Sequence, residues 1–201
     1  MLLRCALCFL LGAIPFAVLA MAGSGIDIRK VGSGNPGFNN VLRVSKGRAL
    51  VALVGDMGKG LLALWIVLRA WPLVLPHSID AGVALGWLFG FVAVLGHCYS
   101  PFLKFHGGKG IATSAGVMLM LYPKWAVVGL IFFVLLRVVA SKRKWREGGA
   151  LASLGTWILF VILLLIFAGK LDALYAATMT AFLFYRHQKN VRNLWTAWSH
   201  G

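Results

Sequence analysis

Acidic side chains are scarce in this chain of 201 residues, with Asp and Glu totalling five. Charged residues of both signs make up only 12%, against roughly a quarter in a typical soluble domain. So few charged residues cannot form the polar surface that a protein in water needs. This excludes a soluble globular protein, a disordered tail and a coiled coil. Five carboxylates also leave little material for two-metal chemistry.

Cysteine is scarce too, and its pattern points away from metal binding. Cys5, Cys8 and Cys98 lie inside apolar runs without metal-ligand spacing, so we interpret them as small hydrophobic residues. The sequence therefore predicts no metal and no other cofactor.

Two common signatures of acyl-transfer enzymes are missing. No G-x-S-x-G nucleophile elbow occurs. No histidine begins the H-x-x-x-x-D pattern that supplies the base in thioester-using acyltransferases, which holds for His77, His97, His106 and His187.

Apolar runs dominate what is present. Hydrophobic residues make up 60% of the chain, and the mean hydropathy is +0.85. Runs near the ~20 residues that a membrane-spanning helix needs predict an all-α, polytopic membrane protein of about seven helices in a single domain over residues 1–201. The expected spans are 5–26, 48–69, 81–103, 111–123, 125–140, 148–169 and 171–185. The fourth and seventh are short, and five or six spans remain if short runs are re-entrant or interfacial. The first run also has features of a signal peptide.

The positions of the basic residues predict the orientation. Lys and Arg total 20, and most lie in the segments after the first, third and fifth spans and in the C-terminal tail. The positive-inside rule then places the N-terminus outside and the C-terminus in the cytoplasm. The same rule accounts for much of the net charge of +15, so no nucleic-acid partner is expected.

A glycine-rich segment follows the first span. Residues 32–43 read GSGNPGFNNVLR. Its glycines allow turns with positive φ that aim backbone N–H groups at one point, a concavity suited to an anion. Arg43 adds a charged fork that suits phosphate. A plain linker is the alternative, but it requires neither the two asparagines nor the arginine.

A second glycine-rich segment, GGKG at 107–110, stands directly before an apolar helix. Helix N-termini favour phosphate, and Lys109 supplies a full charge. We expect Gly107, Gly108 and Gly110 to donate backbone N–H groups there. The spacing differs from the nucleotide-binding P-loop, and a flexible hinge is the alternative.

Two ionisable residues and a basic tail complete the candidates. Asp56 and Lys59 share one helix face inside a span, where charged groups are costly and face the bundle interior. They either form a purely structural ion pair or support a site. His187 and Asn190 in the tail would share a helical face, although a snorkelling basic cap is the alternative.

At these residues the sequence resembles the bacterial acyl-phosphate-dependent glycerol-3-phosphate acyltransferases (the PlsY family). That family's GSGNxGATNxxR corresponds to residues 32–43 and its D-x-x-KG to residues 56–60. Its GH…F-K-GGKG-x-AT corresponds to residues 96–113, and its H-x-x-N-I-x-R tail to residues from His187 onward. Departures are Phe38-Asn39 for Ala-Thr, His106 for Lys, and Arg192 one place before the expected arginine.

The resemblance implies acyl transfer from a fatty acyl phosphate to the 1-hydroxyl of sn-glycerol 3-phosphate, giving lysophosphatidate and phosphate in the inner membrane, with the active site facing the cytoplasm. An enzyme that produces acyl phosphate is an implied partner. The implied catalytic residues are Ser33, Arg43, Lys109, His187 and Asn190. Implied substrate-binding residues are Gly32, Gly34, Asn35, Gly37, Asn40, Gly107, Gly108, Gly110, Thr113, Ser153 and Arg192. Asp56, Lys59 and His97 are implied to support the site. A small anion or phosphate transporter is the alternative function.

Overall fold

The computed structural model describes residues 1–70 and 79–199, and every regular element in this part of the chain is helical. The helices are α1 Leu2–Ala13, α2 Phe16–Ala20, α3 Phe38–Val41, α4 Lys46–Trp65, α5 Ile79–Cys98, α6 Ile111–Leu121, α7 Pro123–Lys142, α8 Gly148–Phe167, α9 Lys170–Arg186 and α10 Gln188–Ser199. A π-helical turn, Ile66–Ala70, extends α4.

Five helical stretches are long and apolar enough to cross a membrane: Leu2–Ala20, Lys46–Arg69, Gly82–Leu103, Pro123–Lys142 and Gly148–Phe167. The chain is thus a multi-pass helical membrane protein. The expected fourth span corresponds to Ile111–Leu121, an apolar helix of shorter length. The expected seventh corresponds to α9, which has 17 residues. Seven crossings therefore stay a prediction.

The described residues pack as two compact units, Met1–Leu121 and Tyr122–Gly201. In the first unit, glycines bring helix backbones into direct contact. A Cβ on Gly12 of α1 would lie 2.0 Å from the Ala93 carbonyl oxygen of α5, and one on Gly96 would lie 2.1 Å from that of Phe9. Small residues at such contacts replace the hydrophobic driving force that is missing in lipid. This packing makes the first run part of the bundle and favours its interpretation as a span.

The α4–α6 contact is built in the same way. A Cβ on Gly60 would lie 2.2 Å from the carbonyl oxygen of Thr113, and one on Gly116 would lie 1.9 Å from that of Met57. Together these contacts fix α6, and with it the GGKG segment that precedes it, against α4.

The first span is broken near its end. Pro15 separates α1 from α2, because proline lacks an N–H and clashes with a continuing helix. The break removes the regular i+4 helical donor of the Ile14 carbonyl, which instead accepts from the Phe16 N–H at 3.1 Å and from the Lys59 ammonium at 2.7 Å. A polar group exposed within a span is thereby satisfied inside the protein.

In the second unit, α8 packs against both α7 and α9. The Trp157 and Phe160 rings meet edge to face with centroids 5.4 Å apart, and Trp125 stacks on Phe167 at 4.7 Å. Between the ends of two helices, the Tyr122 hydroxyl donates to the Asp172 carboxylate. This unit thus combines aromatic packing with polar contacts between helices.

We expect Gly60→Ala to lower the free energy of unfolding by about 1–3 kcal/mol, because the added methyl overlaps the α6 backbone. Gly58→Ala, two residues away on the same helix, is the matched control, since a Cβ there meets no atom within 4 Å. It should be neutral or stabilising by up to about 1 kcal/mol. Thermal unfolding in detergent measures both, and equal melting temperatures would contradict the close-packed contact.

Candidate active site

The turn at residues 32–34 is folded by Asn40. This side chain is 1% exposed, and its Nδ2 donates to the carbonyls of Ile28 and Val31, each at 2.9 Å. Its Oδ1 accepts the N–H of Ser33 at 3.1 Å. With all three contacts internal, Asn40 fixes the shape of the turn.

The glycines of this segment have two different roles. Gly32 and Gly34 have φ of +57° and +70°, which confirms the expected left-handed turn. Gly37 instead has extended backbone and precedes α3. The N–H groups of Gly34 and Gly37 donate to Val31 and Asn35 carbonyls at 3.0 and 2.9 Å. The expected concavity of open N–H groups is therefore not formed by these two residues.

Side chains remain available for an anion at this turn. Ser33 and Arg43 are exposed, and the Ser33 Oγ accepts only a long 3.4 Å bond from the Asn35 N–H among described residues. The Arg43 guanidinium lies beside Gly32, where a Cβ would approach it to 3.1 Å. It forms no ion pair within the described part of the chain.

A neighbouring arginine is neutralised. Arg29 binds the Asp27 carboxylate through two bonds of 2.9 Å. The side-chain hydrogen bond from Arg29, with its backbone N–H bond and charge, lowers the pKa of Asp27 to about 2, and the same pairing raises the pKa of Arg29. Asp27 is thus ionised at neutral pH and forms an ion pair with Arg29. Arg29 therefore differs from Arg43, which has no carboxylate partner among the described residues.

The GGKG segment differs from the expectation. The N–H groups of Gly107 and Gly108 donate to the carbonyls of Cys98 and His97 at 3.1 and 3.2 Å, so the expected open N–H donors are absent at these two positions. Close packing explains both glycines. A Cβ would lie 2.0 Å from the His97 carbonyl oxygen at Gly107 and 2.2 Å from the His97 ring at Gly108.

The remaining residues of this segment lie at the start of α6. Gly110 has φ of +91° and turns the chain into the helix, whose first N–H groups have no intrahelical partner. Lys109 is half-buried. Thr113 is fully buried with its carbonyl against Gly60, which places it at the helix contact.

Asp56, Lys59 and His97 form one buried cluster. The Lys59 ammonium lies 2.7 Å from the Asp56 carboxylate, and the His97 Nδ1 lies 3.5 Å from the same oxygen. The Asp56 and Lys59 side chains are each 2% exposed. The cluster links α4 to α5 and, through the Ile14 carbonyl, to the end of α1.

A small cavity joins this cluster to both glycine-rich segments. Its volume is about 10 Å³, room for a single water. Pro36 of the first segment and Gly108 of the second line it, together with Asp56, Lys59 and His97. The structure thus brings three of the sequence motifs to one place in the first unit.

An apolar groove lies beside this place. Phe16, which also lines the small cavity, borders the groove with Leu50, Val51, Val54 and Gly55. Its volume is about 380 Å³. Gly55 makes room for Phe16, because a Cβ there would come within 2.3 Å of the ring.

The other candidates belong to the second unit. Ser153 is buried, and its hydroxyl donates to the Gly149 carbonyl at 2.8 Å. His187 is buried at the junction of α9 and α10. Its Nδ1 lies 2.8 Å from the Leu183 carbonyl oxygen, and since a carbonyl only accepts, Nδ1 carries the proton. Arg192 is exposed on α10.

Asn190 has a partner that the sequence analysis missed. Its Nδ2 donates to Glu147 at 2.5 Å, and Asn193 donates to the other carboxylate oxygen at 2.7 Å. Glu147 follows the basic run at 142–146, and one carboxylate among such neighbours is the signal that could have identified it. Asn193 stands where the family pattern expects arginine.

Within residues 1–70 and 79–199, no three His, Cys, Asp or Glu side chains lie close enough to share a metal ion.

These features define a helical membrane protein with an arginine, a lysine and a serine on glycine-shaped loops. The model of the family described as "Glycerol-3-phosphate acyltransferase" matches residues 2–197, and the chain belongs to this family. It is 39% identical over 194 residues to glycerol-3-phosphate acyltransferase 1 of Deinococcus radiodurans, covering 96% of this chain and 91% of the relative. It is 39% identical over 193 residues to the Thermus thermophilus enzyme, covering 94% and 88%.

Solved structures agree. The glycerol 3-phosphate form of PlsY (YgiH), an integral membrane glycerol 3-phosphate acyltransferase, matches with a TM-score of 0.81 at 28% identity. The match covers 98% of this chain and 92% of that one. The lysophosphatidic acid form of the same protein matches with a TM-score of 0.80. The protein is therefore a glycerol-3-phosphate acyltransferase of the PlsY family, which decides against the transporter interpretation.

We expect Asn40→Ala to destabilise the protein by about 2 kcal/mol or more, because it strands two carbonyls and one N–H of the turn. Asn39→Ala is the matched control, since Asn39 is exposed. Thermal unfolding and limited proteolysis near residues 28–37 measure the difference. Identical behaviour of the two variants would contradict the structural role of Asn40.

Lys59→Met should lower stability by about 3–5 kcal/mol, because it leaves the buried Asp56 carboxyl without its nearest cation. Lys46→Met, at the exposed start of the same helix, should leave the melting temperature nearly unchanged. Chemical unfolding in mixed micelles gives the comparison, and a small effect of Lys59→Met would show that the ion pair is dispensable.

Proposed function

We propose that this enzyme uses a fatty acyl phosphate as donor and the 1-hydroxyl of sn-glycerol 3-phosphate as acceptor. The hydroxyl oxygen attacks the acyl carbon, an ester bond forms, and the bond between that carbon and the phosphate oxygen breaks. The proton of the hydroxyl leaves with the released phosphate. Lysophosphatidate and inorganic phosphate are the products, so atoms and charge balance without another reactant.

The observation that carries the proposal is the uncompensated charge of Arg43. Two anions must be gathered for this reaction, and Arg43 is exposed beside Gly32, the residue before Ser33, with no ion pair among the described residues. Arg29, fourteen residues earlier, is already paired with Asp27. Arg43 can therefore hold a phosphate bidentately, and the Ser33 hydroxyl can add a hydrogen bond.

Lys109 supplies the second cation. It precedes α6, whose N-terminal N–H groups carry partial positive charge. Its segment and that of Arg43 meet at the cavity lined by Pro36 and Gly108. We assign Gly32, Gly34, Gly107, Gly108 and Gly110 to shaping these two segments around the anions.

The apolar groove suits the acyl chain of the donor. Its described lining is wholly apolar, and Phe16 places it next to the cavity between the glycine-rich segments. An acyl chain in this groove would remain in an apolar environment, as it does in the bilayer. The reacting carbonyl would then lie where the chain leaves the groove, near the cations.

The chemistry needs little from a base, because phosphate is already a good leaving group. Catalysis then rests on positioning and on stabilising charge. We assign Ser153, His187, Asn190 and Arg192 to binding or catalysis by their match to the family pattern. His187 either orients a substrate or transfers a proton through its ring.

We further propose seven membrane crossings, with α6 and α9 as the short ones. The N-terminus lies outside and the C-terminus inside, so the active site of this inner-membrane enzyme faces the cytoplasm, as the positive-inside rule indicates. Acyl phosphate is consumed at that face and comes from a partner enzyme that makes it. Cysteine-accessibility labelling of single exposed positions in vesicles tests this orientation.

The donor is tested with purified enzyme in proteoliposomes. Radiolabelled sn-glycerol 3-phosphate is supplied with a long-chain acyl phosphate, the matching acyl-coenzyme A or the acyl-carrier-protein thioester. Mass spectrometry of the product identifies the acylated hydroxyl. Lysophosphatidate formed from either thioester but not from acyl phosphate would overturn the proposed donor.

Arg43→Ala and Lys109→Ala should each lower kcat/KM by about 10²-fold or more, because each removes a charge that stabilises the transferring group. Arg29→Ala is the matched control and should retain nearly full activity, since Asp27 already occupies Arg29. Steady-state kinetics with both substrates measures the effect, alongside melting temperatures. Wild-type rates in both variants would remove these residues from the site.

A further inference from the structure

Glu147 lies at the start of α8 and reaches α10 with both carboxylate oxygens. Oε2 accepts the Asn190 Nδ2–H at 2.5 Å, and Oε1 accepts the Asn193 Nδ2–H at 2.7 Å. Its own backbone is left-handed, with φ of +55°. The carboxylate thus connects α8 to two turns of α10, although Glu147 lies more than 40 residues before both asparagines.

This contact fixes the orientation of the Asn190 amide. An ionised carboxylate only accepts hydrogen bonds, so the NH₂ end of each asparagine must face Glu147. The amide oxygen of Asn190 therefore points to its other side. Bonds to a charged acceptor are stronger than those between neutral groups, which makes the alternative amide orientation unfavourable.

The same contact holds the segment that carries His187. This residue is the junction between α9 and α10, and it lies one turn before Asn190. The backbone N–H of His187 donates to the Leu183 and Phe184 carbonyls, and its backbone carbonyl accepts the Val191 N–H at 2.9 Å. A shift of α10 would move His187 and Asn190 together.

We propose that Glu147 is a positioning residue for acyl transfer, which sets the Asn190 amide and holds the His187–Asn190 segment through α10. The proposal rests on the proposed function, because it assumes that Asn190 contributes to the reaction. Glu147 itself has no contact with a substrate in this assignment. Its effect on turnover must therefore pass through Asn190 and α10.

The test is Glu147→Gln in the full-length enzyme. Glutamine has one amide oxygen in place of two carboxylate oxygens, so it can accept from only one asparagine without amide reorientation. We expect kcat/KM for glycerol 3-phosphate to fall about tenfold, with a melting temperature within a few degrees of wild type. Asp172→Asn is the matched control, since it removes one carboxylate from the same unit at the Tyr122 contact. It should leave kcat/KM unchanged.

A double-mutant cycle separates positioning from plain structural support. If Glu147 acts through Asn190 and the segment that carries it, then Glu147→Gln causes a smaller loss of kcat/KM in the Asn190→Ala background than in the wild type. Multiplying losses would overturn the proposal, and so would a wild-type kcat/KM in the single Glu147→Gln variant.

Hydrogen exchange supplies a readout that needs no turnover. Glu147→Gln should raise the exchange of amides in residues 188–199 relative to Asp172→Asn, and unchanged exchange would contradict the hold on α10. Failure of the proposed function looks different. In that case the wild type makes no lysophosphatidate from acyl phosphate, or Asn190→Ala keeps full activity, while the exchange comparison still reports on Glu147.

Discussion

The first unit depends on one buried ammonium group. Lys59 donates to the Ile14 carbonyl at the break before α2, and it neutralises Asp56, which in turn faces His97. In a lipid environment each of these polar groups would be costly without the others. Both glycine-rich segments meet at this cluster, because Pro36 and Gly108 line the cavity beside it.

The glycines show how far a local pattern can be interpreted. The sequence predicted loops that turn and approach a ligand closely, and the turns at Gly32 and Gly34 have this form. At Gly107 and Gly108 the close approach is to His97 instead. A missing side chain permits contact with a phosphate or with another backbone equally well, so only the three-dimensional structure distinguishes the two.

Hydropathy predicted the long helices, because a helix that crosses the hydrocarbon core of a membrane must be apolar along its length. Local departures from a regular helix lay beyond it, such as the π-helical turn at Ile66–Ala70 and the break at Pro15. The motif residues Ser33 and Arg43 were predicted and are exposed. Glu147 was missed, because its partners on α10 lie more than 40 residues away.

The charge balance around residues 142–147 also affects how the enzyme attracts anionic substrates. The run at 142–146 carries four basic residues, and the single carboxylate next to it in sequence, Glu147, is bound by neutral amides. Such a surface concentrates phosphorylated metabolites and anionic headgroups by long-range attraction. Salt screens this attraction, because the Debye length is about 10 Å at 0.1 M ionic strength. The rate of substrate capture therefore depends on the salt concentration as well as on the protein.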